Sequence, residues 1–284
     1  MKTKIYITST FHSLIKGKLK ITKDCYQEGY FIIDTACTNN IVNNKFCNEE
    51  SLNKKDTGNI IAAGNISMKT KLYQFTYAVE DVEFQDNFQE TGNIDSMIGN
   101  TSSIRILGIL GLTFLWKHRM VIDYNLREVY TLPQNHIINL EEYHFKFPLA
   151  YGLEKWQLPI IGLSKSKNTN VALAMIDTGS NVNIMCKSIL DDFNFKNERT
   201  NDICEVFNAC GKEENMVSKI HFCILSVKDE EFEYQEKVEY FNISDLESLL
   251  KEGKDSIGCI LGNQYMIANQ MIIDFNHYYI YSNK

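Results

Sequence analysis

Two aspartates stand out by what precedes and follows them. Phe31-Ile32-Ile33-Asp34-Thr35-Ala36 and Ala174-Met175-Ile176-Asp177-Thr178-Gly179 are each an apolar run that ends in Asp-Thr and a small residue. Such a run reads as a buried strand delivering a carboxylate into a tight turn. A single Asp there has an ordinary structural use, since an Asx turn caps a strand end in the same way. Two of them within about 3 Å of one another would have a chemical use as well, because like charges that close cannot both ionise and share a proton. A pair holding one proton contains a base and an acid, which is what amide hydrolysis asks for: an activated water on one face of the carbonyl and a proton donor for the oxygen and the leaving nitrogen.

Whether the two strings belong together depends on their surroundings. Ile109-Leu110-Gly111 followed by Phe114-Leu115 matches Ile260-Leu261-Gly262 followed by Tyr265-Met266. Val121-Ile122-Asp123-Tyr124-Asn125 matches Ile272-Ile273-Asp274-Phe275-Asn276, and Asn40-Ile41 matches Asn183-Ile184. Asp34 and Asp177 are 143 residues apart, whereas Gly111 and Gly262, like Asp123 and Asp274, are 151 apart, so eight residues are inserted in the second copy between Asp177 and Gly262. Between these landmarks lie Ala62-Ala63-Gly64, with its Gly 30 residues after Asp34, and Ala209-Cys210-Gly211, with its Gly 34 residues after Asp177. The chain reads as two tandem copies of one unit of about 140 residues. Asp123 and Asp274 repeat too, and their place after a strand distant from the Asp-Thr turn reads as structural hairpin chemistry.

Asp-Thr-Gly after an apolar strand, a strand pair around a small-small-Gly tip, Ile-Leu-Gly-x-x-aromatic-apolar and an Ile-Asp-aromatic strand together resemble the retropepsin-like aspartic proteases over most of each half. Retroviral members are homodimers with one Asp per subunit, and pepsin-like members fuse two lobes in one chain; this sequence resembles the fused arrangement while both halves keep retropepsin-like landmarks. The resemblance implies two similar closed β-barrel-like lobes related by a pseudo-two-fold, residues 1–140 and 141–284, mainly β with few short helices. It implies an aspartic endopeptidase with Asp34 and Asp177 as its catalytic pair and a water between them, without a cofactor or metal. Thr35 and Thr178 would interlock across the lobes. Ala36, Cys37, Gly179 and Ser180 would bring main-chain N–H groups against the carboxylates. The Ser180 hydroxyl would donate to Asp177, whereas Cys37 is a weak donor, so Asp177 is expected to be the more acidic member. Ile61, Ala62, Ala63 and Gly64 in one half, and Asn208, Ala209, Cys210 and Gly211 in the other, would be flap tips that close over an extended peptide.

One residue departs from the pattern. Ala36 stands where the family has Gly, and if that position needs a positive φ the methyl would cost about 1 kcal/mol or more. A catalytically inactive pseudoprotease that binds an extended peptide by strand addition is therefore the rival reading. A third is an assembly β-protein in which the Asp-Thr turns serve lobe packing alone.

Composition narrows the classes. With 284 residues and 44% hydrophobic content the chain can form one large or two modest domains with a real core. A net charge of −7 excludes nucleic acid as the expected partner, since Lys16-Gly17-Lys18-Leu19-Lys20 is its densest basic group and reads as a solvated hairpin. Lys2, Lys4, His12 and Lys16 interrupt the N-terminal stretch, which leaves no apolar leader or spanning segment, so a cytoplasmic protein without a membrane partner is expected. The eight cysteines then read as free thiols, and no Cys-x-x-Cys suggests a zinc site. The expected partner is a peptide or protein substrate, taken by a monomer acting as a pseudo-dimer.

The elements that must position the aspartates are mostly strands. Short β-branched and aromatic runs predict them at 4–8, 30–33, 72–79, 120–124, 171–176, 220–227, 233–241 and 271–275. Residues 121–130 and 272–281 read as strand, Asn-containing turn, strand. All three prolines, at 133, 148 and 159, place a linker near 133–155. Short helices are expected at 112–117 and 264–268. Ser244-Asp245-Leu246-Glu247 reads as a capping box opening another helix to about Lys251.

Overall fold

The computed structural model describes residues 1–47, 54–62, 66–92, 94, 104–132, 145–148, 150–152, 158–167, 169–208, 211–228, 231–252 and 255–282. The chain is mostly β, with two closed barrel-like lobes. Three short α-helices occur among the described residues: Leu112–Lys117, Lys187–Asp192 and Asn263–Ala268. The proposed boundary near residue 140 and most of the Pro-marked linker lie outside the described residues.

Each aspartate-bearing strand is central in its sheet, with a partner on either edge. Cys25–Ile33 pairs antiparallel with Ser13–Thr22 and parallel with Ile106–Leu110. Val171–Asp177 pairs antiparallel with Leu158–Ser164 and parallel with Cys259–Gly262. A strand covered on both faces reads as a continuous apolar run, and Phe31, Ile32, Ile33, Ala174, Met175 and Ile176 are all buried. The segment after each turn returns as a short strand, Asn40–Asn43 or Ile184–Cys186, antiparallel to the Ile-Leu-Gly strand of its own half. It also pairs parallel with Val82–Thr91 in the first half and Glu231–Ser244 in the second. The two halves thus share one order of pairings around their aspartates.

Longer strands take up the greater length of the second half. Lys54–Ala62, Ile66–Val79 and Val82–Thr91 have 9, 14 and 10 residues, and Lys196–Asn208, Gly211–Lys228 and Glu231–Ser244 have 13, 18 and 14. The first two strands of each set pair antiparallel, up to Ala62 with Ile66 and Asn208 with Gly211. Of the expected flap tips, Ala63, Gly64, Ala209 and Cys210 lie outside the described residues, and Ile61, Ala62, Asn208 and Gly211 are described as backbone.

One seam joins the halves. Met120–Asp123 pairs antiparallel with Ile272–Asp274, with Val121 opposite Asp274, Ile122 opposite Ile273 and Asp123 opposite Ile272. Beside it the Tyr124 N–H donates to Met271 O at 2.9 Å and the Phe275 N–H to Met120 O at 3.1 Å. Each contact is matched by its counterpart 151 residues on, so a pseudo-two-fold passes through the Ile122 and Ile273 pair. Backbone conformation repeats with it. Arg119 and Gln270 leave their helices at φ 50° and 49°, and Arg127 and Tyr278 sit in their hairpins at φ 55° and 64°. Non-glycine residues take this left-handed region sparingly, and the first pair serves as the helix C-terminal stop.

One expectation fails. No helix follows Ser244, which is instead the last residue of Glu231–Ser244, paired with Cys186, while its Oγ accepts the Leu246 N–H at 3.3 Å. Leu249 and Leu250 are buried and lead into the strand pair Leu250–Glu252 and Asp255–Ile257. Strand pairing and burial of adjacent leucines override the local capping pattern. Lys16–Lys20 lies in the first strand of the hairpin formed by Ser13–Thr22 and Cys25–Ile33, with Lys16 and Lys18 exposed: Lys18 pairs with Glu28 across the ladder, Leu19 is buried, and a Cβ on Gly17 would lie 2.8 Å from Ala78 O. The unanticipated helix Lys187–Asp192 follows directly on Ile184–Cys186.

Candidate active site

The turn after each strand is built to hold a carboxylate. Asp34 Oδ1 accepts the N–H groups of Ala36 at 2.8 Å and Cys37 at 2.9 Å. Asp177 Oδ1 accepts those of Gly179 and Ser180 at the same two distances. Behind the turn, the N–H of Gly111 donates to Asn40 Oδ1 at 3.0 Å, and that of Gly262 to Asn183 Oδ1 at 2.9 Å. The Leu112 N–H then donates to Cys37 O at 2.8 Å and the Asn263 N–H to Ser180 O at 2.7 Å. A Cβ on Gly111 or Gly262 would overlap the turn's carbonyl oxygens, which is why the Ile-Leu landmark ends in glycine in both halves.

The threonines tie one turn to the other. Thr35 Oγ1 donates to Ile176 O at 2.6 Å and accepts the Thr178 N–H at 3.0 Å. Thr178 Oγ1 donates to Ile33 O at 2.9 Å and accepts the Thr35 N–H at 3.1 Å. Both side chains are fully buried. All four bonds cross between the halves, so the aspartates cannot separate without breaking them. The two carboxyl groups lie close enough for each to act on the other's ionisation.

Burial raises both carboxyls above the usual range, against the lowering effect of the paired N–H donors. Asp177 is pushed well up by burial and then by the charge of Asp34 beside it. The ground for expecting Asp177 to be the more acidic is absent. Ser180 Oγ donates to Val182 O at 2.9 Å rather than to Asp177, just as Cys37 Sγ donates to Asn39 O at 3.0 Å. The two carboxylates therefore receive matched backbone donors and no side-chain hydroxyl from the turn. Both carboxyl groups are largely shielded from solvent. Two such carboxyls held side by side by backbone can act as one acid and one base, which is the requirement for splitting an amide with water.

The reason for glycine in the turn is also corrected. Neither Ala36 nor Gly179 has a positive φ, so the backbone does not exclude a side chain. Gly179 is constrained by approach: an added Cβ would overlap the Asp34 carboxyl, with its Oδ1 2.9 Å away. Ala36 packs against the main core cluster.

Several residues at the site carry no role in the sequence reading. Asn40 and Asn183 repeat visibly, but their task of holding the Ile-Leu-Gly strand emerges only with the pairing of that strand. Tyr124 is buried, its hydroxyl accepting a hydrogen bond from Ser13 Oγ at 3.2 Å. Ser13 Oγ is also within hydrogen-bond distance of Asn263 Oδ1, at 3.1 Å, which links the strand Ser13–Thr22 to the helix Asn263–Ala268. The residue matching Tyr124 is Phe275, so this network exists on one side of the pseudo-two-fold alone. Asp123 and Asp274 stay in their hairpins, Asp123 Oδ1 accepting the Leu126 N–H at 2.8 Å and Asp274 Oδ1 the Asn276 N–H at 2.8 Å. Among the described residues no group of His, Cys, Asp and Glu could hold a metal ion, and no helix is long and apolar enough to cross a membrane.

The solved structure of the aspartic proteinase from Irpex lacteus is similar to this one with a TM-score of 0.56, over 100% of this chain and 97% of that chain, at 8% sequence identity. The chain has the fold of an aspartic proteinase. No protein-family model and no curated protein matches it.

Proposed function

We propose that the chain is an aspartic endopeptidase that hydrolyses peptide bonds with a water activated between Asp34 and Asp177. The observation that carries this reading is the reciprocal threonine interlock that brings the two aspartate turns together, with each carboxyl fixed by two N–H donors. A buried like-charged pair costs stability, so a fold that holds one rigidly has a use for the shared proton. The ionised carboxylate takes a proton from water as the water attacks the carbonyl carbon. The protonated one gives its proton to the carbonyl oxygen, and collapse of the gem-diol with proton transfer to nitrogen releases the amine.

Within this reading the two halves are tandem retropepsin-like units, and the chain works as a monomeric pseudo-dimer. The strand pairs Lys54–Ala62 with Ile66–Val79 and Lys196–Asn208 with Gly211–Lys228 close over an extended peptide segment. Limited processing of a protein or peptide in the cytoplasm, away from nucleic acid and membrane, suits the acidic composition. The second reading, a non-catalytic peptide binder, draws on Ala36, a methyl placed where Gly179 has no room for one. Incubation with a diverse peptide library at several pH values, with and without a pepstatin-type transition-state analogue, separates the two. Cleavage abolished by the analogue and by Asp177→Asn is the expected result. Peptide binding without cleavage at any pH would establish the binder instead.

A further inference from the structure

Asn263 is joined to both halves of the molecule at once. Its N–H donates to Ser180 O in the Asp177 turn at 2.7 Å, and its fully buried side chain reaches into the first half. There Nδ2 donates to Phe11 O and, at 2.8 Å, to Ser13 Oγ, which in turn donates to the Tyr124 hydroxyl at 3.2 Å. The Phe11 acceptor is held ready. Phe11 has φ 64°, in a loop closed by the Thr8 N–H on His12 O at 3.0 Å and the His12 N–H on Thr8 Oγ1 at 2.9 Å. A bulky residue in that region is strained, and only its surroundings keep it there. Ser13 opens the strand that pairs with the Asp34 strand, Leu14 lying opposite Ile32.

Across the pseudo-two-fold this set has no counterpart. Asn263 matches Leu112, each following the glycine of its Ile-Leu-Gly, and Tyr124 matches Phe275. Leu14 and Ile160 lie opposite Ile32 and Met175, which hold the same place before their aspartates, so Ser13 matches Pro159. Leu112, Pro159 and Phe275 are all buried, and none has a side-chain hydrogen-bonding group. Apolar residues therefore fill this space on one side, so packing alone does not call for the polar set on the other. What a satisfied buried network adds is a fixed arrangement of the parts it joins. We infer that Asn263 and Ser13 are positioning residues that hold the Asp177 turn in register with the first half. The threonine bonds tie the turns at the axis and resist separation, whereas a tie on one side of the axis also resists rotation about it. The consequence for turnover rests on the peptidase reading, but the geometry does not.

Asn263→Leu, which installs the residue of the matching place, and Ser13→Ala should each lower kcat about tenfold with KM within about twofold of wild type. In the double variant the two losses should not multiply, because either change breaks the same link. Pro159→Ala, at the matching place outside the set, should leave kcat within about twofold. Carboxyl carbon-13 NMR titration of aspartate-labelled full-length protein reads the geometry without turnover. Carboxyls that move apart titrate with transitions closer together, so Asn263→Leu should narrow the separation of the pair's two transitions by about half a pH unit or more. Ser13→Ala, the smaller change, should narrow it in the same sense and keeps the test open if the leucine variant fails to fold. A folded variant with the separation within about 0.2 unit of wild type overturns the inference, and so do losses in kcat that multiply. A narrowed separation in a protein that cleaves no peptide would retain the positioning role and reject the peptidase. An unchanged separation with full cleavage would do the reverse.

Discussion

The Asp34 turn and the Asp177 turn have one backbone and two sets of side chains. Donor distances to the carboxylates agree to 0.1 Å, the Asn-to-Gly clasp recurs, and each threonine makes the same two bonds to the opposite half. Yet Ala36 faces Gly179, Cys37 faces Ser180 and Tyr124 faces Phe275 across the pseudo-two-fold. Main-chain groups hold the geometry, so side chains in the turn are free to differ wherever they do not enter the space between the carboxyls.

Making either half's carboxyl an amide is the most severe way to test the comparison. Asp34→Asn and Asp177→Asn should each lower kcat/KM by at least about 10³-fold, because a single carboxyl cannot be acid and base together. A dispensable Asp34 would break the symmetry. Stability should move the other way. A carboxyl whose folded pKa is raised contributes stability that is fully present below its unfolded value near 4 and is lost as pH rises through the folded value. Asp177→Asn should therefore melt above wild type at pH 7 and close to it at pH 3.

Gly179→Ala comes next. Its methyl has nowhere to go but the Asp34 carboxyl, so a loss of about 10²-fold in kcat is expected, with about 1–3 kcal/mol of stability. Steady-state kinetics and denaturant melts would show both. Thr35→Val and Thr178→Val should each cost about 2–4 kcal/mol in urea unfolding, since each leaves a buried N–H and a buried C=O of the opposite half unpaired. Equal costs would sharpen the pseudo-two-fold, and a tolerated change at one of them would show that only one half bears the lock. Ser180→Ala should be the mildest, with the acidic limb of the pH-rate profile unmoved, because the hydroxyl donates to Val182 O and not to Asp177.

Much of this was legible in the sequence, and the reasons are local. An apolar run buried on both faces is visible as such, and two Asp-Thr strings in repeated surroundings predict that the turns face one another. What escaped depends on partners remote in the chain. Asn40 and Asn183 repeat plainly, but their work needs the antiparallel return of the Ile-Leu-Gly strand beside them. The space between Gly179 and Asp34 exists only once the halves have met across 145 residues, and no local φ preference announces it. Ser244-Asp245-Leu246-Glu247 has the letters of a helix start, yet pairing with Cys186 keeps Ser244 in a strand. Short propensity signals yield to tertiary contacts where a ladder is available.

Binding of a transition-state analogue tests the central claim, that two unequal halves make one site. Calorimetric titration of the intact chain with a statine-type peptide should give one molecule bound per chain, and Asp34→Asn and Asp177→Asn should each weaken Kd by about 10²-fold or more, because the analogue's hydroxyl sits between both carboxyls. Binding left unchanged by either single substitution, in a variant that stays folded, would contradict the account.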